Sequence, residues 1–211
     1  MGYDLYVVTD EGIGQGRSHI ELAARAVAGG ADAIQLRDKA LSSRDLLNAA
    51  VAIREVTTDA GALFIVNDRL DVALAAGADG VHLGESDLPI GHARRIAPPG
   101  FIIGASVRSV ATAVRAAAEG ADYVALSPTF ATGSKGDAGP GHGLAVLAEI
   151  RTVVSLPLVA IGGITPENVA DVIVAGADGV AVISAVVGQD DVIAAARELR
   201  ARIAAAKARG R

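Results

Sequence analysis

Two cations spaced by one residue, Arg37 and Lys39 in QLRDK, and two acids from later segments, Asp68 in VNDR and Asp87 in LGESD, could do chemistry together. Alternation along an extended chain aims Gln35, Arg37 and Lys39 to one side. An amide and two cations on one side suit a phosphate or diphosphate. The plain alternative is surface pairing of Arg37 and Lys39 with Asp38 or nearby acids. Taken alone, Asn67 and Asp68 read first as caps of the helix pattern that follows them, and Asp87 could cap the next helix. Taken together, two carboxylates facing a basic pair suit a hard cation. Mg2+ takes one or two carboxylates and completes its shell with phosphate oxygens and water. Glu85 is a spare ligand candidate. His82 lies within an apolar run, and no other histidine stands at metal-ligand spacing from it.

Other polar residues sit in similar places. The stretch SPTFATGSKGDAGPG, residues 127–141, offers the hydroxyls of Thr132 and Ser134 and the charge of Lys135. It reads as plain loop or as a glycine-hinged lid over an anionic ligand. Ser106 ends the run FIIGAS, and no Ser-His-Asp pattern accompanies it, so it is not read as a nucleophile. It could bond a substrate or cap a helix. Gly162 and Gly163 precede TPENV, where Thr165 reads as a cap with Pro166 at the first helical position. Paired glycines let a ligand approach the backbone, and Ser184 follows the last apolar run.

These positions share one feature. Each lies at or just beyond the end of a short apolar run, and the runs alternate with Ala-rich helical patterns. The eight runs are LYVVT (5–9), AIQLR (33–37), ALFIV (62–66), GVHLG (80–84), FIIGA (101–105), YVALS (123–127), LVAIG (158–162) and GVAVI (179–183). Eight strand–helix units predict a parallel sheet closed into a (β/α)8 TIM barrel. In that fold the active site lies at the C-terminal ends of the strands, and phosphate sites commonly form after strands seven and eight. Gly-Ala-Asp recurs at 30–32, 77–79, 120–122 and 176–178, each time between a helix pattern and an even-numbered strand. These triplets read as structural punctuation at the opposite rim, with Gly ending the helix.

Composition bounds the rest. The chain has 211 residues, 51% of them apolar, enough for one barrel domain over about 5–205 with a tail frayed from about 206 to 211. A net charge of −5 argues against nucleic-acid or anionic-membrane binding. Without cysteine there are no disulfides or thiolate metal sites. The beginning MGYDLYVVTDEG has no basic segment of a leader, and no uncharged apolar run is long enough to span a bilayer. The expectation is a cytoplasmic protein acting on small phosphorylated molecules.

The ordered set VTD, QLRDK, VNDR, DGVHLGESDLP, GAS, Thr132-x-Ser134-Lys135, IGGITPENV and GADGVAVIS resembles the thiamine-phosphate synthase (thiamine-phosphate pyrophosphorylase) family over about residues 5–200. The resemblance implies a TIM barrel, commonly homodimeric and Mg2+-dependent. It implies a transferase that joins hydroxymethylpyrimidine diphosphate to a thiazole phosphate, carboxylated or not, releasing pyrophosphate by a dissociative mechanism. It further implies that Gln35, Arg37, Lys39 and Asn67 contact the pyrimidine diphosphate and that Asp68 and Asp87 hold Mg2+. Ser106 would lie near the pyrimidine, and Lys135 would bind pyrophosphate. Thr132, Ser134, Gly163, Ile183 and Ser184 would bracket the thiazole phosphate. Arg37, Lys39, Ser106 and Lys135 would carry the catalysis. Two departures stand out. The family's Arg-Glu-Lys is Arg37-Asp38-Lys39 here, and its Pro-Thr-x-Thr-Lys loop, followed by Lys-Asp, is Ala131-Thr132-Gly133-Ser134-Lys135-Gly136-Asp137. The nearest alternatives are a thiazole tautomerase of the same fold, whose pattern has His where this chain has Arg108, and a non-catalytic barrel binding thiamine precursors.

Overall fold

The short apolar runs become strands covered on both faces, which is why they read as continuous hydrophobic segments rather than alternating ones. The computed structural model describes residues 2–133 and 140–209. Its strands are β1 (Leu5–Thr9), β2 (Ala33–Leu36), β3 (Leu63–Asn67), β4 (Gly80–Leu83), β5 (Ile102–Val107), β6 (Tyr123–Leu126), β7 (Leu158–Ile161) and β8 (Gly179–Val182). The helices between and after them are α1 (His19–Ala28), α2 (Ser43–Ala60), α3 (Leu70–Ala75), α4 (Ile90–Ile96), α5 (Val110–Ala118), α6 (Gly143–Val153), α7 (Val169–Val174) and α8 (Val192–Arg209). All neighbouring strands are parallel, and β8 closes on β1 with Tyr6 opposite Ala181. This is the expected (β/α)8 barrel.

The Gly-Ala-Asp repeat has a four-fold structural meaning. Asp32, Asp79, Asp122 and Asp178 each accept a hydrogen bond from the first or second backbone N–H of the preceding strand: Leu5, Phe64, Ile103 and Leu158. Each also pairs with an arginine from an even-numbered helix. Arg54 of α2 reaches Asp79, Arg94 of α4 reaches Asp122, Arg151 of α6 reaches Asp178, and Arg200 of α8 reaches Asp32. The triplets therefore fasten the N-terminal rim, away from the candidate site. Asp4 joins the same rim, held by Arg200 and Lys207. Contrary to the expected fraying from about 206, α8 stays helical to Arg209, because Ala206 is buried and Lys207 is tied to Asp4.

Serines at 18, 42 and 109 cap α1, α2 and α5. The helix predicted to start at Thr165 begins later, at Val169. Thr165 and Asn168 instead bond each other and the backbone in a turn, and the Asn168 amide donates to the carbonyl of Gly163.

Inside the barrel the packing includes two buried tyrosines. Tyr6 and Tyr123 meet hydroxyl to hydroxyl at 3.1 Å. A Cβ on Gly104 would lie 2.0 Å from the Tyr123 ring, so glycine is what admits that ring.

Candidate active site

The strand ends and following loops build a cleft of about 320 Å3 at the C-terminal mouth of the barrel. Arg37 and Lys39 enter it from the end of β2, Asn67 and Asp68 from β3, Glu85 and Asp87 beyond β4, and Ser106 and Arg108 from β5 and beyond. Ser127 and Pro128, after β6, form one wall. Residues far apart in sequence thus converge because parallel strands all deliver their C-terminal ends to one rim.

Neither cation pairs with Asp38 among the described residues, but Arg37 does take a nearby acid, as the plain alternative allows. Arg37 Nη1 lies 3.2 Å from Asp10 Oδ2, an acid at the end of β1. Lys39 has no ion pair among the described residues. Gln35 does not line the cleft. It is buried inside the barrel, and its amide donates to the Tyr6 hydroxyl at 2.7 Å.

The acids are not helix caps either. Asp68 precedes Arg69, the residue capping α3, and has a φ of 62°, a left-handed conformation that non-glycine residues seldom adopt. Its backbone N–H donates to the His82 carbonyl, which holds the segment in that shape. Asp87 turns back to accept from the Gly84 N–H at 2.7 Å. Burial, then the hydrogen bond and charge of Asp87, push the Asp68 carboxyl up to about 6, against the pull of Lys39 and Arg37. A half-buried carboxylate beside another carboxylate carries a cost that a bound cation would relieve. No cluster of three or more metal-ligating side chains exists among the described residues. Two carboxylates with room for ligand oxygens fit Mg2+.

Ser106 is not a cap, because Ser109 takes that place at α5. Its Oγ lies 2.9 Å from His82 Nε2, while His82 Nδ1 lies 2.9 Å from the Tyr123 hydroxyl. Gln35, Tyr6, Tyr123, His82 and Ser106 therefore form one connected polar chain from the barrel interior to the cleft. Burial raises both tyrosine pKa values well above their ordinary position, so the hydroxyls keep their protons. Sequence reading placed His82 within an apolar run but missed Tyr6, Tyr123 and Asp10. Tyr6 and Tyr123 read as apolar strand residues, and Asp10 lay unweighed in VTD.

A second, smaller pocket shares the Ser127–Pro128 wall. Thr132, Gly163, Ile183 and Ser184 all line it. Gly162 and Gly163 have φ values of 102° and 65°, and a Cβ on either would fall within 2.8 Å of the 128–131 segment. Glycine is required there by both backbone conformation and space. Ser134 and Lys135 lie outside the described residues.

Comparison with known proteins follows the same lines as the geometry. Residues 5–186 match the family described as thiamine monophosphate synthase. The thiamine-phosphate synthase of Methanoculleus marisnigri is 82% identical over all of both chains. That of Methanocella arvoryzae is 59% identical, again over all of both. The structure of thiamine phosphate pyrophosphorylase from Pyrococcus furiosus superposes with a TM-score of 0.90 at 44% identity, covering 97% of this chain and 96% of that one. The chain belongs to the thiamine monophosphate synthase family.

Proposed function

We propose that the mouth cleft binds hydroxymethylpyrimidine diphosphate and that the adjoining pocket binds a thiazole phosphate, the two being joined into thiamine phosphate with release of pyrophosphate. The observation that carries this assignment is the pairing of two sites across one wall. One holds Arg37, Lys39, Asp68 and Asp87; the other holds Gly163 and Ser184; Ser127 and Pro128 belong to both. Two phosphorylated substrates placed so would face each other, as a bond between them requires.

In this reading Arg37 and Lys39 bind the diphosphate oxygens, and Asn67 supplies an amide beside them. Asp68 and Asp87 hold Mg2+, which when bound neutralises negative charge on the leaving pyrophosphate. As the bond from the pyrimidine carbon to the diphosphate oxygen breaks, charge grows on that oxygen, and prepositioned cations stabilise it more than the ground state. Lys135, which follows β6 in the sequence, adds a further charge. Ser106, held by His82, lies near the pyrimidine that is left as a cation, and Gln35 is joined to it through the interior chain. The Gly163 and Ser184 backbone, with Thr132, Ser134 and Ile183, holds the thiazole phosphate while the ring nitrogen attacks. No protein nucleophile is needed, in keeping with the absence of cysteine.

The same reading has the chain acting as a cytoplasmic homodimer on small phosphorylated molecules, without nucleic acid. No helix among the described residues is long and apolar enough to cross a membrane. The test is pyrophosphate release by purified protein given both substrates, with and without Mg2+. Release that needs all three components is expected. Isomerisation of a thiazole phosphate without pyrophosphate release would point to a tautomerase and overturn the assignment.

A further inference from the structure

His19 opens α1 and is 1% exposed, yet it touches no part of the cleft. Its ring sits between two strand ends. Nδ1 is 2.8 Å from Thr9 Oγ1 at the end of β1, and Nε2 is 3.1 Å from Asp38 Oδ2. Its backbone N–H donates to Glu11 Oε1 at 2.9 Å. A polar ring buried this fully has a fixed place, set on both sides by hydrogen bonds.

Asp38 is the residue between Arg37 and Lys39. Its Oδ1 accepts from the backbone N–H groups of Ala40 and Leu41, each at 2.7 Å, which closes a tight turn right after the cationic pair. Its Oδ2 takes the His19 ring. An aspartate is short enough to close this turn on its own backbone; glutamate, the family residue here, carries one more methylene. Because side chains alternate along extended backbone, holding Asp38 toward α1 directs Arg37 and Lys39 into the cleft. Arg37 is steadied a second time by Asp10, whereas Lys39 has no such pairing among the described residues.

We infer that His19 is a positioning residue for the diphosphate site: through Asp38 it fixes the turn that presents Arg37 and Lys39 to the substrate. This rests on the functional reading above and adds a residue that touches neither substrate. Its effect falls on one subsite, since Thr132, Gly163, Ile183 and Ser184 are held by other segments.

The test varies each substrate in turn for wild type, His19→Ala, His19→Gln, Asp38→Asn and the double variant His19→Ala/Asp38→Asn. Pyrophosphate binding with Mg2+ is measured directly by calorimetry. The loss of one positioning hydrogen bond predicts about a tenfold rise in KM for the pyrimidine diphosphate and in Kd for pyrophosphate with His19→Ala. KM for the thiazole phosphate stays within about twofold. His19→Gln, which keeps an N–H for Asp38, recovers most of the loss. The double variant is no worse than the worse single one, because both remove the same contact. Should His19→Ala not fold, Asp38→Asn carries the same selectivity test, with His19→Gln as the conservative control. Equal changes for both substrates, no change in pyrophosphate binding, or additive losses would overturn the inference while leaving the functional reading intact. Wild-type protein that binds no pyrophosphate would overturn both.

Discussion

His82 Nε2 stands 2.9 Å from Ser106 Oγ, and the other nitrogen of the same ring meets Tyr123. The contact links a cleft serine to a buried tyrosine pair, so the serine's orientation is set from within the barrel. Ser106→Ala should lower kcat/KM about tenfold through loss of one oriented hydroxyl. His82→Leu should cost both activity and about 1–3 kcal/mol of stability, since it leaves buried hydroxyls short of a partner. Kinetics and denaturant unfolding of the two variants check this. A His82→Leu protein as stable and active as wild type would show that the contact does nothing.

Asp68 predicts a trade between metal binding and stability. Its carboxyl rises from 3.8 to about 6 on folding without metal. Between those values the folded state holds more protons than the unfolded one, so stability falls as pH rises through that window and stays lower above it. Asp68→Asn should therefore raise the Tm of metal-free protein at pH 7 to 8 and change it little near pH 3. A rise from 3.8 to about 6 would be worth about 3 kcal/mol at most, and partial solvent exposure reduces this to about 1 kcal/mol. The same variant should lose Mg2+-dependent turnover. An unchanged Tm at neutral pH would refute the account of the pair.

Asp87→Asn separates metal binding from the second pocket. Turnover should vanish, while thiazole phosphate binding, measured by calorimetry, should persist because that site is built from the loops after β6, β7 and β8. Wild-type turnover in this variant would remove the metal role from Asp87.

Gly104→Ala tests the packing under the site. The added methyl would overlap the Tyr123 ring, which is fully buried and hydrogen-bonded to Tyr6 and His82. Overpacking of this kind costs about 1–3 kcal/mol and would disturb the His82–Ser106 contact. Lower Tm together with lower kcat is the expected result; a fully stable, fully active variant would mean the ring moves freely.

The Arg94–Asp122 contact tests the opposite rim. Arg94 also donates to the carbonyls of Phe101 and Gly120. Arg94→Met should lower stability by about 1–2 kcal/mol while leaving both KM values unchanged. A selective kinetic defect would contradict a purely structural role for the Gly-Ala-Asp repeat.

The barrel itself was legible in the sequence. Eight short apolar runs separated by helical patterns leave few ways to bury both sheet faces, and closure into a barrel satisfies all of them. The position of the site followed too, since parallel strands carry their C-terminal residues to one rim. Arg37, Lys39, Asn67, Asp68, Asp87 and Ser106 all line the mouth cleft where that rule puts them, while Gly162 and Gly163, read as room for a ligand, make room for the chain's own 128–131 segment. Tertiary structure decided which of several uses each polar residue has. Local sequence allows Asp68 and Asp87 to be caps, and only the pairing of β3 with β4 brings them together as neighbouring acids. Sequence alternation put Gln35 on the same side as Arg37, and the barrel keeps both on its inner side, but only closure of the barrel sets Gln35 a layer deeper, with Tyr6. The contacts of His19, Asp10 and Tyr123 depend on partners 10 to 117 residues away. Hydrogen bonds across that distance leave no periodic trace in a chain, because they are set by the shape into which the strands close.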